Sequence, residues 1–152
     1  MKIVKWFAIA IVVIPMLFLV GVYIRNKSVG PTGWAEDNTI KALKTKLKDP
    51  DSMVIRSSFF VHKINSANDE EIFMCGIVDG KNSFGGYTSG TRFASRSVSS
   101  KALKTFDTYT VELEDNENKQ KADEVKMLSA FEKVYWNDYC VDDRHPPITP
   151  AK

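Results

Sequence analysis

The side chains with the most chemical potential crowd into Cys75–Tyr87, CGIVDGKNSFGGY. Lys81, Asn82 and Ser83 supply polar donors, Phe84 and Tyr87 flank Gly85-Gly86 with aromatic surface, and Arg92 adds a cation soon after. Two arrangements fit these residue types. In one, Lys81, Asn82, Ser83, Phe84, Tyr87 and Arg92 form a recognition loop that presents donors and rings to a ligand or partner. In the other the run is a structural turn: Asn82 and Ser83 bond to backbone, the glycines permit a bulge, and Phe84 and Tyr87 enter the core. Asp79-Gly80 is a dipeptide favoured in type I′ turns, and Gly85-Gly86 opens backbone angles closed to other residues. A nucleophilic Ser83 is disfavoured, because N-S-F-G-G is not G-x-S-x-G and no base lies nearby in sequence. Only the fold could bring His62 to it.

The remaining chemistry is sparse. Cys75 and Cys140 are the only cysteines, and His62 and His145 the only histidines. Two cysteines in an oxidising compartment permit a disulfide. Such a bridge would close a loop of about 65 residues and contribute roughly 2–4 kcal/mol. The alternative is two separate buried thiols, each packing as a small hydrophobe. No metal site is expected from this set. Asp69, Glu70 and Glu71 read as a solvated acidic cluster without the ligand ladder that calcium needs. The glycines match no phosphate loop. No cofactor is expected.

The elements that would position these residues follow from hydrophobic periodicity. Ile40, Leu43 and Leu47 share a helical stripe, with Lys41, Lys44, Lys46 and Lys48 off it, and Asp49-Pro50 ends the helix. Strands are expected over Met53–Lys63, Glu71–Val78, Phe84–Ser95 and Thr105–Leu113. The second is apolar on both alternating faces and should lie centrally, covered on both sides. A second helix is expected from Lys119 to Tyr139, where Ala122, Val125, Leu128, Phe131 and Tyr135 recur at spacings of three and four. The fold class is α+β: an antiparallel sheet of about four strands with an N-terminal and a C-terminal helix packed on it, preceded by one transmembrane helix.

That last element rests on Trp6–Ile24, WFAIAIVVIPMLFLVGVYI, an uncharged run flanked by Lys2, Lys5, Arg25 and Lys27. Its length approaches the roughly 20 residues that cross a bilayer. A cleaved leader fits less well, since its apolar core is about 7–15 residues long and Leu19-Val20-Gly21 is a poor cleavage site. The expected organisation is a transmembrane signal anchor over 1–27, a linker over 28–33, an α+β domain over 34–141 and a flexible tail over 142–152. Four of the 21 basic residues fall in the first 27 positions, leaving 17 bases against 19 acids beyond them. A near-neutral domain gives no electrostatic case for nucleic acid. Positive charge on the two sides of the run is close to balanced, so the cysteines decide the orientation: single-pass in the inner membrane, domain in the periplasm.

Three segments together resemble a family. Leu47-Lys48-Asp49-Pro50-Asp51-Ser52, the run Cys75–Tyr87 followed by Arg92-Phe93, and Trp136-Asn137-Asp138-Tyr139-Cys140 are similar to the L-x-D-P-x-S, C-G-x-V-N-x-K-N-S-F-G-G-Y and W-x-x-x-C segments of small exported proteins of Gram-negative bacteria and their prophages. The likeness covers roughly residues 43–140; Asp79 stands where Asn is usual, with Gly80 beside it. It implies export and a Cys75–Cys140 pair, and carries no established activity. The functional expectation is a membrane-anchored, non-enzymatic periplasmic binding module acting on a protein partner in the cell envelope as an inhibitor, an immunity or exclusion factor, or an assembly accessory. The competing expectations are a cell-envelope hydrolase or transferase using Ser83 or His62, and a structural subunit acting through its transmembrane helix.

Overall fold

The computed structural model describes residues 2–87 and 89–150, with the side chains of residues 2–10, 12 and 24–28 outside that description. The chain forms two compact units, residues 1–34 and 35–152. Helix α1 spans Lys2–Lys46 and is interrupted at Gly30, whose φ of 63° is open to glycine at little cost. Pro31 then restarts the helix, its fixed φ suiting a first turn. Residues 28–33, expected as a linker, are therefore helical on either side of a one-residue break.

The expectation of a membrane anchor is corrected. Among the described residues no helix is long and apolar enough to cross a membrane. Within the run Trp6–Ile24 the described side chains are those of Ile11 and of residues 13–23. The rest of Trp6–Ile24 carries side chains outside the described residues. Single-pass placement in the inner membrane falls with the anchor.

The second unit is an α+β domain. Strands β1 (Val54–Ile64), β2 (Glu70–Asp79), β3 (Thr91–Ser100) and β4 (Thr105–Leu113) form one antiparallel sheet in the order β1-β2-β3-β4. Short turns suffice for such a meander. Between β1 and β2 the Asn65 side chain accepts from the Ala67 and Asp69 amides, closing an Asx-type turn. As its two-sided apolarity requires, β2 is central and buried from Ile72 to Gly76.

Each sheet face has its own cover. Phe59, Val61, Phe73, Cys75 and Ala94 pack under Phe131, Tyr135, Trp136, Tyr139 and Cys140. Phe60, Met74, Val78, Phe93 and Val111 pack under Leu43 and Leu47 at the C-terminal end of α1 and just beyond it. Burying each such side chain is worth about 1.5–3 kcal/mol relative to exposure. The helix also meets the sheet through a hydroxyl pair, Thr39 donating to Ser95 Oγ at 2.8 Å; within the sheet Ser95 donates to the Met74 carbonyl, and Ser97 and Thr108 bond at 2.9 Å. Thr39, Ser95 and Ser97 are fully buried, so these bonds offset the cost of desolvating them.

Three local expectations change. The helix expected over Lys119–Tyr139 is two pieces: α2 (Asn116–Glu124), and a later stretch in which a π-helical turn over Glu132–Trp136 runs into α3 (Asn137–Tyr139). Lys126 has a positive φ of 54°, and Val125, expected on the apolar stripe, is exposed. The cause is a capping box: Glu132 N donates to Ser129 Oγ, and Ser129 N donates to Glu132 Oε2, starting a new helical segment there. The strand expected over Phe84–Ser95 begins only at Thr91, because Lys81–Tyr87 instead forms a protruding loop and Gly90 just before the strand has φ 85°. The segment after Asp142, expected to be loose, is docked as far as Ile148. Asn137 Nδ2 donates to the Ile148 carbonyl, Ile148 N donates back to Asn137 Oδ1, and His145 stacks on Phe59.

Candidate recognition site

Lys81–Tyr87 stands out from the sheet as a miniature hairpin. Lys81 and Tyr87 pair as an isolated antiparallel bridge, and Asn82 N donates to the Gly86 carbonyl at 2.8 Å. The Asn82 side chain organises the tip. Its Oδ1 accepts from the amides of Phe84 (2.9 Å) and Gly86 (3.2 Å), while its carbonyl accepts from Gly85 N at 3.0 Å. Gly85 completes the turn with φ 79°, a left-handed conformation that a side chain would strain. The expected type I′ turn at Asp79-Gly80 is absent, because Asp79 instead ends β2 as a buried carboxylate. Arg56 donates to Asp79 Oδ2 through both Nε and its terminal nitrogen, and Gly80 N donates to Oδ1.

The base of the hairpin is buttressed by the Asp49–Ser52 turn. Lys81 N donates to Ser52 Oγ, which donates to the Asp49 carbonyl, both at 2.8 Å. The two segments Leu47–Ser52 and Cys75–Tyr87, read separately in the sequence, thus meet in space. Neither Ser52 nor Arg56 is among the residues that the sequence marks for the site. Ser52 lies in a D-P-D-S turn signal that could have drawn attention. Arg56 owes its place to a bulge between Ile55 and Ser57 that no residue type announces.

Of the six residues expected to form a recognition loop, five sit on this hairpin. Lys81, Asn82, Ser83, Phe84 and Tyr87 are all exposed. Phe84 is 97% exposed at the tip. Tyr87 is 48% exposed, with the Lys81 ammonium 5.8 Å and the Arg56 guanidinium 6.0 Å from its ring centroid. Neither ring enters the core, so the arrangement in which they do is corrected, while the backbone-bonding role foreseen for Asn82 is present. Arg92 is the exception. It lies on β3 beneath the C-terminal segment, bonded to Glu114 and to Glu132 (2.7 Å), and 5.2 Å from the Trp136 ring centroid. Burial alone would lower its pKa; the hydrogen bonds it donates to Glu114 and Glu132 outweigh that and hold it above the ordinary value. Its role is to tie β3 to the end of β4 and the π-helical turn.

The other candidates also resolve. Cys75 and Cys140 form a disulfide with Cα atoms 5.8 Å apart, joining β2 to the end of the C-terminal segment. His62 is exposed on β1 and meets Glu70 Oε1 at 3.0 Å; Glu71 pairs with Arg96. Glu70 and Glu71 of the acidic cluster are thus the first residues of β2, with Asp69 just before it. Val54 pairs with Asp79 at one end of the β1–β2 hairpin and His62 with Ile72 toward the other. Eight residues of strand, roughly 25 Å, therefore separate His62 from the base of the Ser83 hairpin, and no Ser83–His62 pair is assembled. Among the described residues no group of three or more His, Cys, Asp or Glu side chains is placed to hold a metal ion. A furrow of about 680 Å³ runs between α1 and the outer edge of β4, past Asn38, Lys41, Thr45 and Tyr109, but none of the expected site residues lines it.

No protein family, curated protein or solved structure matches the chain.

Proposed function

We propose that this chain is a non-enzymatic binding module that engages a protein partner through the Lys81–Tyr87 hairpin. The observation that carries the reading is Phe84: a large aromatic side chain, 97% exposed, on a turn whose backbone is bonded in place. Leaving such a ring in water forgoes about 1.5–3 kcal/mol of burial, and an aromatic anchor held before contact spends little ordering entropy on binding. Tyr87, flanked by Lys81 and Arg56, would form the polar-edged rim around it. The Cys75–Cys140 bridge suits an oxidising compartment as the setting.

Site-specific photo-crosslinking tests this. A benzophenone side chain placed at Phe84 in the full chain, in the cells that make it, should yield one defined protein adduct that weakens with Tyr87→Ala. The same probe at Leu103, another exposed apolar position, should not yield it. Equal adducts from both positions, or none from Phe84, would remove the hairpin from consideration.

A further inference from the structure

We infer that the hairpin's partner presents an extended acidic segment, and that its carboxylates seat in a groove beside the hairpin. The inference builds on the reading above by giving the partner's chemistry. The groove, about 230 Å³, lies between the end of α1, β2 and the loop; Lys46, Lys48, Lys81 and Asn82 line it together with Val78 and Gly80. Among the described residues no carboxylate lines it. Asp79, between the lining residues Val78 and Gly80 in sequence, is fully enclosed and neutralised by Arg56.

The three lysines are differently engaged. Lys46 reaches Glu112 at 3.6 Å, a long and exposed pair that solvent screens. Lys81 leans on the Tyr87 ring. Lys48 is exposed beyond the end of α1. Three like charges around one small concavity repel one another, and an anion entering it would relieve that repulsion. A Cβ on Gly80 would meet Leu47 at 3.4 Å and Ser52 Oγ at 3.6 Å, ordinary contact distances, so these two side chains border the groove at that point. An extended chain with acidic side chains would bring its carboxylates among the lysines, and its neighbouring residues would pass Phe84 and Tyr87.

Binding of a fluorescein-labelled hexaglutamate peptide to the full chain, followed by anisotropy, tests the inference. Saturable binding is expected that weakens by at least about tenfold in the Lys48→Glu/Lys81→Glu double variant, since reversed charges turn attraction into repulsion. It should also weaken on raising salt to about 0.5 M, as a surface electrostatic contact must. Lys133→Glu, an exposed change on the C-terminal segment across the sheet, should leave it unaltered, and thermal melts check that every variant is folded. Equal binding by the double variant, equal binding of hexaglutamine, or no binding would overturn the inference. Displacement by inorganic phosphate at equal concentration would also overturn it, assigning the groove to a free small anion. The peptide carries no apolar residue, so this result and the Phe84 crosslinking result fail independently.

Discussion

His145 lies flat against Phe59, with ring centroids 3.8 Å apart and an interplanar angle of 11°. The contact joins a proline-rich terminal segment to an edge strand, and Asp142 bonds the same imidazole at 2.7 Å. His145→Ala should cost about 0.5–1.5 kcal/mol, the usual worth of a packed aromatic pair. Denaturant unfolding of the variant at neutral pH measures this; a loss below experimental error would mean the segment is not docked.

Glu132 gathers three jobs: it caps Ser129, receives Arg92 and lies 3.7 Å from Lys119. Burial alone would raise its pKa, but the Arg92 hydrogen bond and the Ser129 amide overcome that and hold it below the ordinary carboxylate range. A depressed folded-state pKa adds stability that is present above the unfolded value, about 4.3, and is lost as pH falls through the lower folded value. Glu132→Gln retains a capping side chain but not the charge. Its unfolding free energy should therefore fall less steeply than the parent's below about pH 4. Parallel slopes in an acid titration of stability would count against this assignment.

Arg92→Ala removes the cation that Glu114 and Glu132 share, leaving two carboxylates that are 8% and 4% exposed without it. The expected loss is about 3–5 kcal/mol, as for breaking other buried pairs from one side. Arg92→Lys should recover only part, since a point charge cannot fork between two carboxylates. Urea midpoints of the three proteins would show the order.

Gly76 sits where β1 and β3 crowd β2. A Cβ there would fall 2.1 Å from the Ser57 carbonyl oxygen and 2.9 Å from Phe93. Backbone cannot yield cheaply, so Gly76→Ala should destabilise by about 3 kcal/mol, at the upper end for overpacking. Gly86→Ala, with only the Asn82 amide near 3.8 Å, is the tolerant comparison. Equal melting temperatures for the two variants would refute the packing argument.

Asn82→Ala addresses the hairpin alone. It removes the acceptor for the Phe84 and Gly86 amides on an exposed loop, so global stability should change by less than about 1 kcal/mol. Amide exchange at Phe84 and Gly86 should nonetheless accelerate. Unchanged exchange would show that Gly85 and the Lys81–Tyr87 bridge hold the tip without it.

What the sequence made legible were features written in residue type. The two-sided apolarity of Glu71–Val78 marked the central strand, and Tyr109, Val111 and Leu113 marked β4 at its observed bounds. The even cysteine count allowed the bridge that forms. What escaped depended on interactions between distant residues. The stripe from Ala122 to Tyr135 read as one helix because periodicity ignores caps, although Ser129-Ala130-Phe131-Glu132 carries the S-x-x-E signature. Arg92 read as part of the loop because two carboxylates 22 and 40 positions later claim it only in space. The hairpin's exposure was undecidable from Phe84 and Tyr87 alone, since aromatic rings serve cores and contact surfaces alike.

The hydroxyls between α1 and β3 have a consequence for how the domain finds its arrangement. Methyl groups would let the helix rest on the sheet at many rotations and offsets with similar energy. Thr39 finds Ser95, and Asn38 finds Thr108, at one setting only. Sliding the helix by a turn would strand buried donors with no water to receive them, at about 1–3 kcal/mol each. The polar stripe thus works as a keyway: it adds little to how tightly the layers adhere, and much to which single alignment they adopt.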